Sequence, residues 1–447
     1  MMQTGKTIGM VSLGCSKNQI DAERLLASLR GAGYEISARP ERCDVAIINT
    51  CGFIESAKQE AIEVILEFTQ HKAAGAVGGI IVTGCLSERY RDEFVREFPE
   101  VDAALGIGHN GEIAAAVQAV LRGGQYFAFG EKESLPLEGG RVLTGATYSA
   151  YLKIAEGCDN RCSYCAIPDI RGRFRSRALE NIIEEARVLV AAGARELNLV
   201  AQDTTRYGED IYGKPALPGL LQKLCEIDGL RLLRVLYCYP DRVTDELLDV
   251  MAAQPKIVKY MDMPVQHSVG SVLAAMNRSG DQATLLALMA RIRGRVPGIT
   301  LRTTLIAGFP GESGDDFAAL CAFVRRARFE RLGCFAYSQE EGTPAAELPG
   351  QLEQDVKQRR CEIIMETQAQ IAAEIAQAMR GREMEVLCEG YDAERKMHVA
   401  RSAADAPDID TKVYFTAPRK LQPGEFVRVR ITDAEDYDLI GQLTIDS

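Results

Sequence analysis

Three cysteines stand in one short run, Gly157-Cys158-Asp159-Asn160-Arg161-Cys162-Ser163-Tyr164-Cys165, at the spacing C-x3-C-x2-C. Thiolates from a single loop can hold three irons of a 4Fe-4S cluster and leave the fourth iron without a protein ligand. Such an open position lets a small molecule bind the metal directly. Two plainer readings compete. Zinc needs a fourth ligand, none lies nearby, and the chain holds only four histidines. Clustered cysteines can also be small buried hydrophobes, although chance seldom groups them so tightly.

A second set is dispersed. Cys15, Cys51 and Cys85 each lie just past an apolar run: Met10-Val11-Ser12-Leu13, Ala46-Ile47-Ile48-Asn49 and Ile80-Ile81-Val82-Thr83. If those runs are parallel strands, all three cysteines fall on the carboxyl edge of one sheet, where open α/β sheets bind ligands. Gly14, Gly52 and Gly84 stand beside them and would let backbone approach a cofactor closely. Three such cysteines can converge on one site, or can simply be buried at strand ends. The remaining cysteines, at 43, 225, 238, 321, 334, 361 and 388, share no register and read as core residues.

The elements around these sets follow from periodicity. Residues 1–125 alternate apolar runs (Ile8 to Leu13, Val45 to Asn49, Ile80 to Thr83, Val101 to Leu105) with amphipathic stretches at Asp21–Leu29, Glu55–Phe68 and Glu88–Phe98. That alternation predicts a parallel sheet covered by helices. Glu131 to Gly145, rich in Gly, Pro and charge, reads as a linker. Residues 150–338 repeat the strand–helix unit six times, with strands expected at Tyr151–Ala155, Glu196–Ala201, Leu232–Cys238, Tyr260–Val265, Thr300–Ile306 and Arg331–Tyr337. Six such units suit a (βα) barrel left open on one side or part of a full one. The C-x3-C-x2-C run then follows the first barrel strand, where barrels carry functional residues. A long helix is expected at about 351–379. After Gly381, five short strand-like runs punctuated by Gly and Pro predict a small β-barrel. The fold class is therefore α/β multidomain, with domains expected at 1–130, 146–380 and 381–447.

Composition narrows the class of protein. A chain of 447 residues with 47% hydrophobic and 26% charged residues exceeds one ordinary core and reads as soluble. No apolar run reaches membrane-span length, and Met1 to Lys6 lacks the apolar core of a signal peptide. A cytoplasmic location is expected, so thirteen cysteines point to metal or catalysis over disulfides. The net charge of −11 is concentrated as acidic excess in residues 1–140 and 381–447. Such a balance argues mildly against nucleic acid and for a basic protein partner.

With Tyr164 before its last cysteine, the C-x3-C-x2-C run resembles the radical S-adenosylmethionine signature. The resemblance implies that Cys158, Cys162 and Cys165 ligate a 4Fe-4S cluster whose open iron chelates S-adenosylmethionine and whose electron cleaves it to a 5′-deoxyadenosyl radical. Segments Ser12-Leu13-Gly14-Cys15-Ser16-Lys17-Asn18, Asn49-Thr50-Cys51-Gly52-Phe53-Ile54 and Thr83-Gly84-Cys85-Leu86 resemble the amino-terminal domain of the methylthiotransferases. The order of that domain, a radical barrel and a TRAM-type barrel covers essentially the whole chain. The resemblance implies a second 4Fe-4S cluster on Cys15, Cys51 and Cys85 that carries the sulfur to be transferred.

Within the family, the motifs favour the RimO type, which modifies an aspartate of small-subunit ribosomal protein twelve, over the type that modifies a tRNA adenosine. The tRNA type usually reads Gly-Cys-Gln-Met-Asn where this chain has Gly14-Cys15-Ser16-Lys17-Asn18, although the RimO type usually has Pro at Ser16. Val200-Ala201-Gln202-Asp203-Thr204-Thr205-Arg206-Tyr207-Gly208 and the stretch from Cys165 to Arg177 resemble the RimO type too. The acidic run Asp433, Glu435, Asp436, Asp438, Asp446 holds no Lys or Arg and would repel phosphate, or is simply a solvated face. The implied reaction is β-methylthiolation of the aspartate, with one S-adenosylmethionine giving a methyl group and another a radical. Implied partners are ribosomal protein twelve, a flavodoxin-like electron donor and a sulfur donor; tRNA and membrane are not expected. Tyr164, Gln202, Gln266, Arg302 and Gly308 are the expected S-adenosylmethionine contacts. Tyr237, Pro264, His267 and the Gly308–Glu312 turn are expected at the same strand ends. Arg171, Arg173, Arg175 and Arg177 would share one face of an extended segment. An electron carrier or ribosome-binding protein without catalysis is the alternative of another class.

Overall fold

In a computed structural model that describes residues 5–444, the amino-terminal part is a six-stranded, all-parallel sheet. Val45–Thr50 and Ile80–Gly84 are buried at every position. Helices cover both faces, which is why these strands are continuous apolar runs without alternation. In space the strands run Glu35–Ile36, Thr7–Ser12, Val45–Thr50, Ile80–Gly84, Ala103–Leu105, Tyr126–Ala128. The order reverses between Thr7–Ser12 and Val45–Thr50, and ligands of open α/β sheets bind at such a reversal. The two outermost strands hold two and three residues, too few to show a period in the sequence.

Six parallel strands form the central part: Ser149–Lys153, Glu196–Val200, Leu232–Val235, Tyr260–Asp262, Thr300–Ala307 and Arg331–Ala336. They pair in two groups of three, joined at the single bridge Leu233 to Ile257. Among the described residues the first and last strands do not pair, so the barrel is open on one side. Helix Ser16–Gly31 of the amino-terminal part packs against the first barrel strand, and helix Gln354–Gln377 packs against the last two. Helix Gly314–Ala327 starts from reciprocal caps between Ser313 and Asp316. An interior cluster joins Val200, Leu236, Val258 and Tyr260 to Ile20 of the amino-terminal helix and Ala406 of the carboxy-terminal part.

The last part is a closed five-stranded barrel of Glu383–Asp392, Met397–Ser402, Val413–Thr416, Phe426–Glu435 and Asp438–Leu443. Asp446 of the acidic run lies outside the described residues. Residues 401–411 cross to the amino ends of the large barrel's strands. There Arg401 pairs with Glu196 at 2.6 Å, Arg331 with Asp405 at 2.6 Å, and Tyr260 donates to Asp410 at 2.6 Å. Arg234 donates to the Ala403 carbonyl at 3.0 Å. This crossing closes the lower end of the large barrel. No helix among the described residues is long and apolar enough to cross a membrane.

Candidate functional site

The first cysteine set occupies the loop after strands Ser149–Lys153 and Ala155–Glu156. The loop opens at Gly157, whose φ is +76° and whose added Cβ would meet the Arg173 carbonyl at 2.0 Å; only glycine fits. The Cys158 amide donates to Gly172 at 3.1 Å, Ser163 to Met276 at 3.0 Å and Cys165 back to Cys162 at 3.0 Å, which pins the loop over the carboxyl ends of the barrel strands. Cys162 Sγ lies 3.6 Å from the Tyr239 hydroxyl and 3.7 Å from Arg278 Nη1. Burial pushes the Cys158 thiol up to about 11 and raises Cys165 further. A neutral thiol is the resting form there until a cation binds.

The second set is assembled across the sheet. Cys15 precedes helix Ser16–Gly31, Cys51 follows strand Val45–Thr50, and Cys85 opens helix Cys85–Glu97. Gly14 has φ +86°, and a Cβ there would stand 2.6 Å from Cys51 Cβ; a Cβ at Gly52 would stand 2.8 Å from Leu86 N. The three loops therefore touch. Asn18 donates to the carbonyls of Leu13, Asn49 and Thr50 at 2.7, 3.3 and 3.3 Å, tying the Cys15 turn to the Cys51 strand. Cys15 is solvent-accessible yet ringed by protein; that enclosure raises its pKa, but the charges of Lys17 and Arg171 outweigh it and hold the thiol below its ordinary value. Burial dominates at Cys51, which is raised, and at Cys85, pushed to about 12.

A buried charge network joins the two edges. Asp21 of the amino-terminal helix accepts from Lys153 and from Arg171, both at 2.5 Å. Lys153 also pairs with Glu156 at 2.6 Å. Arg171 continues to Asn18 Oδ1 at 3.1 Å and to Cys85 Sγ at 3.3 Å. Burial opposes the Glu156 charge, but Lys153 and Arg171 prevail and hold its carboxyl far below the usual range. Two carboxylates and two cations thus lock the sheet to the barrel, with the cysteine sets on facing edges.

Other expected site residues divide. The Tyr164 hydroxyl lies 3.5 Å from Arg278 Nη1. Gln202 donates to Glu156 at 2.7 Å while its Oε1 is buried without a partner, and Gln266, at φ +69°, also has an unpartnered buried Oε1. Gly308 faces away from the opening: an added Cβ would meet Lys357 Cγ at 2.5 Å. Arg302 is third in strand Thr300–Ala307, not at its carboxyl end, and pairs with Asp262 at 2.9 Å and Asp410 at 3.4 Å. It lies inside the barrel, held between Asp410 of the lower crossing and Asp262, whose other oxygen accepts from the Tyr237 amide at 3.0 Å. His267 Nδ1 accepts from the Val269 amide, and its Nε2 lies 3.5 Å from Glu312, a buried structural setting. The four arginines do not share a face. Arg171 ends helix Ile167–Arg171 and is buried, Arg177 is buried against Glu138 and Glu185, and Arg173 is exposed. The acidic run is partly neutralised: Arg380 stands 3.7 Å from Asp433 and Arg395 2.6 Å from Glu435. Sequence reading overlooked Lys17 and Arg278, whose roles depend on partners distant in the chain.

The donor sets suit iron–sulfur clusters. No three His, Cys, Asp or Glu side chains among the described residues converge tightly enough for a single ion. A cubane takes its thiolates at separate corners, farther apart than the ligands of one ion. The thiols are all free, Arg278 and Arg171 place positive charge 3.7 Å from Cys162 and 3.3 Å from Cys85, and the orphaned amide oxygens of Gln202 and Gln266 await polar partners.

Three family models cover most of the chain: Uncharacterized protein family UPF0004 over residues 7–106, the Radical SAM superfamily over 152–324 and the TRAM domain over 381–444. The ribosomal protein uS12 methylthiotransferase RimO of Pelotomaculum thermopropionicum is 48% identical across 99% of this chain and 100% of its own. That of Geobacter sulfurreducens is 46% identical across 99% and 100%. Among solved structures, the radical S-adenosylmethionine methyltransferase TsrM from Kitasatospora setae, bound to tryptophan and a SAM analogue, shares the fold. Its TM-score is 0.57 at 13% identity, over 85% of this chain and 78% of that one. Identity of this extent along nearly the entire length, with all three domains in order, shows that the chain belongs to the RimO family of radical S-adenosylmethionine methylthiotransferases.

Proposed function

We propose that this enzyme adds a methylthio group to the β-carbon of an aspartate in ribosomal protein uS12, using two 4Fe-4S clusters, on Cys158/Cys162/Cys165 and on Cys15/Cys51/Cys85. The observation that carries this reading is the placement of two free cysteine sets on facing carboxyl edges, locked together through Asp21, Lys153, Glu156 and Arg171. When bound, the clusters supply the electron that cleaves S-adenosylmethionine and hold the sulfur to be transferred, chemistry beyond side-chain acids and bases. The chain's own groups do the rest. Arg278 and Arg171 place positive charge beside Cys162 and Cys85, and the Gln202 and Gln266 amides offer acceptors to S-adenosylmethionine. Helix Ser16–Gly31 packs against the first barrel strand and brings the Cys15 edge to the barrel.

The working units are 1–130, 146–380 and 381–447, acting in the cytoplasm with electrons from a flavodoxin-like protein and sulfur from a separate donor. The experiment is mass spectrometry after anaerobic turnover of reconstituted enzyme with ribosomes, bulk tRNA, S-adenosylmethionine, sulfide and a reductant. A methylthio mass gain on uS12, abolished by Cys158→Ala and by Cys51→Ala, is the expected outcome. A gain on a tRNA nucleoside, or none on either, overturns the reading.

A further inference from the structure

The lysine and arginine side chains buried where the sheet meets the barrel are not equally served. Lys153 and Arg171 share the carboxylates of Asp21 and Glu156. Lys17 is 9% exposed and has no carboxylate partner among the described residues. Its charged or titratable neighbours are Tyr237, Cys15 and Arg171. The ammonium rests 3.4 Å from the centre of the Tyr237 ring. A ring face satisfies such a group only in part: an ammonium has three donors, and a desolvated charge is costly until paired.

The position of this cation is specific. Lys17 is two residues from Cys15 in the dispersed set. Tyr237, at φ +62°, is two residues from Tyr239, whose hydroxyl lies 3.6 Å from Cys162 in the clustered set. Lys17 therefore reaches from one cysteine edge to the other. A carbon that loses hydrogen at one edge and gains sulfur from the other must lie in that gap, and in aspartate the carboxylate is bonded directly to that carbon.

Resting on the function proposed above, we infer that Lys17 receives the side-chain carboxylate of the target aspartate and so determines specificity for an acidic substrate residue. The test compares the affinity of reconstituted full-length enzyme, without reductant, for uS12 and for uS12 carrying Asn at the target position. Wild-type enzyme binds the aspartate form roughly 10- to 100-fold more tightly, the span of a charge-assisted hydrogen bond. Lys17→Met brings the ratio close to one by weakening the aspartate form alone, and Lys17→Arg retains the preference. A lysine that only balanced charge at the cysteines would weaken both forms equally under Lys17→Met, and that result overturns the inference. Equal affinity of wild-type enzyme for the two forms overturns it without any enzyme variant. Failure of the parent reading is separate: wild-type enzyme would then leave uS12 unmodified on turnover.

Discussion

The two cysteine sets reach comparable arrangements by opposite routes. Cys158, Cys162 and Cys165 come from one loop, held by local amide bonds and by Gly157 against Arg173. Cys15, Cys51 and Cys85 come from three strands' ends and meet only because the sheet is parallel in the register Ser12 to Asn49 and Asn49 to Thr83. A site built from one loop tolerates error elsewhere in the fold. A site built by topology is only as sound as the packing around it, here Gly14 against Cys51 and Arg171 against Cys85.

Variants can break or sharpen this contrast. Replacing Cys15, Cys51 and Cys85 together by Ala should abolish methylthiolation and halve bound iron, from about eight to about four atoms per chain. Replacing Cys158, Cys162 and Cys165 should do the same from the other side. Iron analysis beside uS12 mass spectrometry checks both, and full iron in either triple variant would refute two separate clusters.

Arg171→Met should separate the sites more subtly. It leaves Asp21 and Glu156 to share Lys153, and breaking a buried ion network of this kind costs about 3–5 kcal/mol. It also withdraws the cation beside Cys85, so iron should be lost from the dispersed site first. Denaturant unfolding of the metal-free protein and spectroscopy of the reconstituted protein give the two readings; unchanged stability would show that the network contributes nothing.

The smallest effect lies at the far end of the barrel and serves as a control. Burial opposes the Glu196 charge, but Arg401 and Arg234 prevail and hold its carboxyl at about 2. Its folded pKa lies below its unfolded value near 4.3, so its stabilisation is full above that value and lost as pH falls through about 2. Hydrogen exchange in residues 403–411 should rise within that window, and Glu196→Gln should raise it already at neutral pH. Exchange that is flat from pH 5 to 2 would remove Glu196 as the anchor.

Much of this was legible in the sequence because it is local or periodic. The C-x3-C-x2-C run, six barrel strands and the five short strands after Gly381 all announce themselves within a few residues. The dispersed cysteines were legible only through strand ends. What escaped depends on partners far along the chain. Arg171 looked like one of four alternating arginines until Asp21, 150 residues earlier, proved to be its partner. Arg302 looked like a strand-end ligand until Asp410 claimed it. Lys17 carried no local signal, since its distinction is the absence of a carboxylate.

The crossing at residues 401–411 has a consequence for synthesis. The chain is made from its amino terminus, and domains fold as they emerge. The large barrel is complete by Ala336, with Glu196 already beside Arg234, but Arg401, the Ala403 carbonyl, Asp410 and Asp405 reach Glu196, Arg234, Tyr260 and Arg331 only some seventy residues later. Until then the nascent barrel stands uncorked at its base, with charged groups in water that the finished protein buries. The carboxy-terminal barrel is thus a stopper fitted last, and a chain cut short before it would be left permanently in that unfinished state.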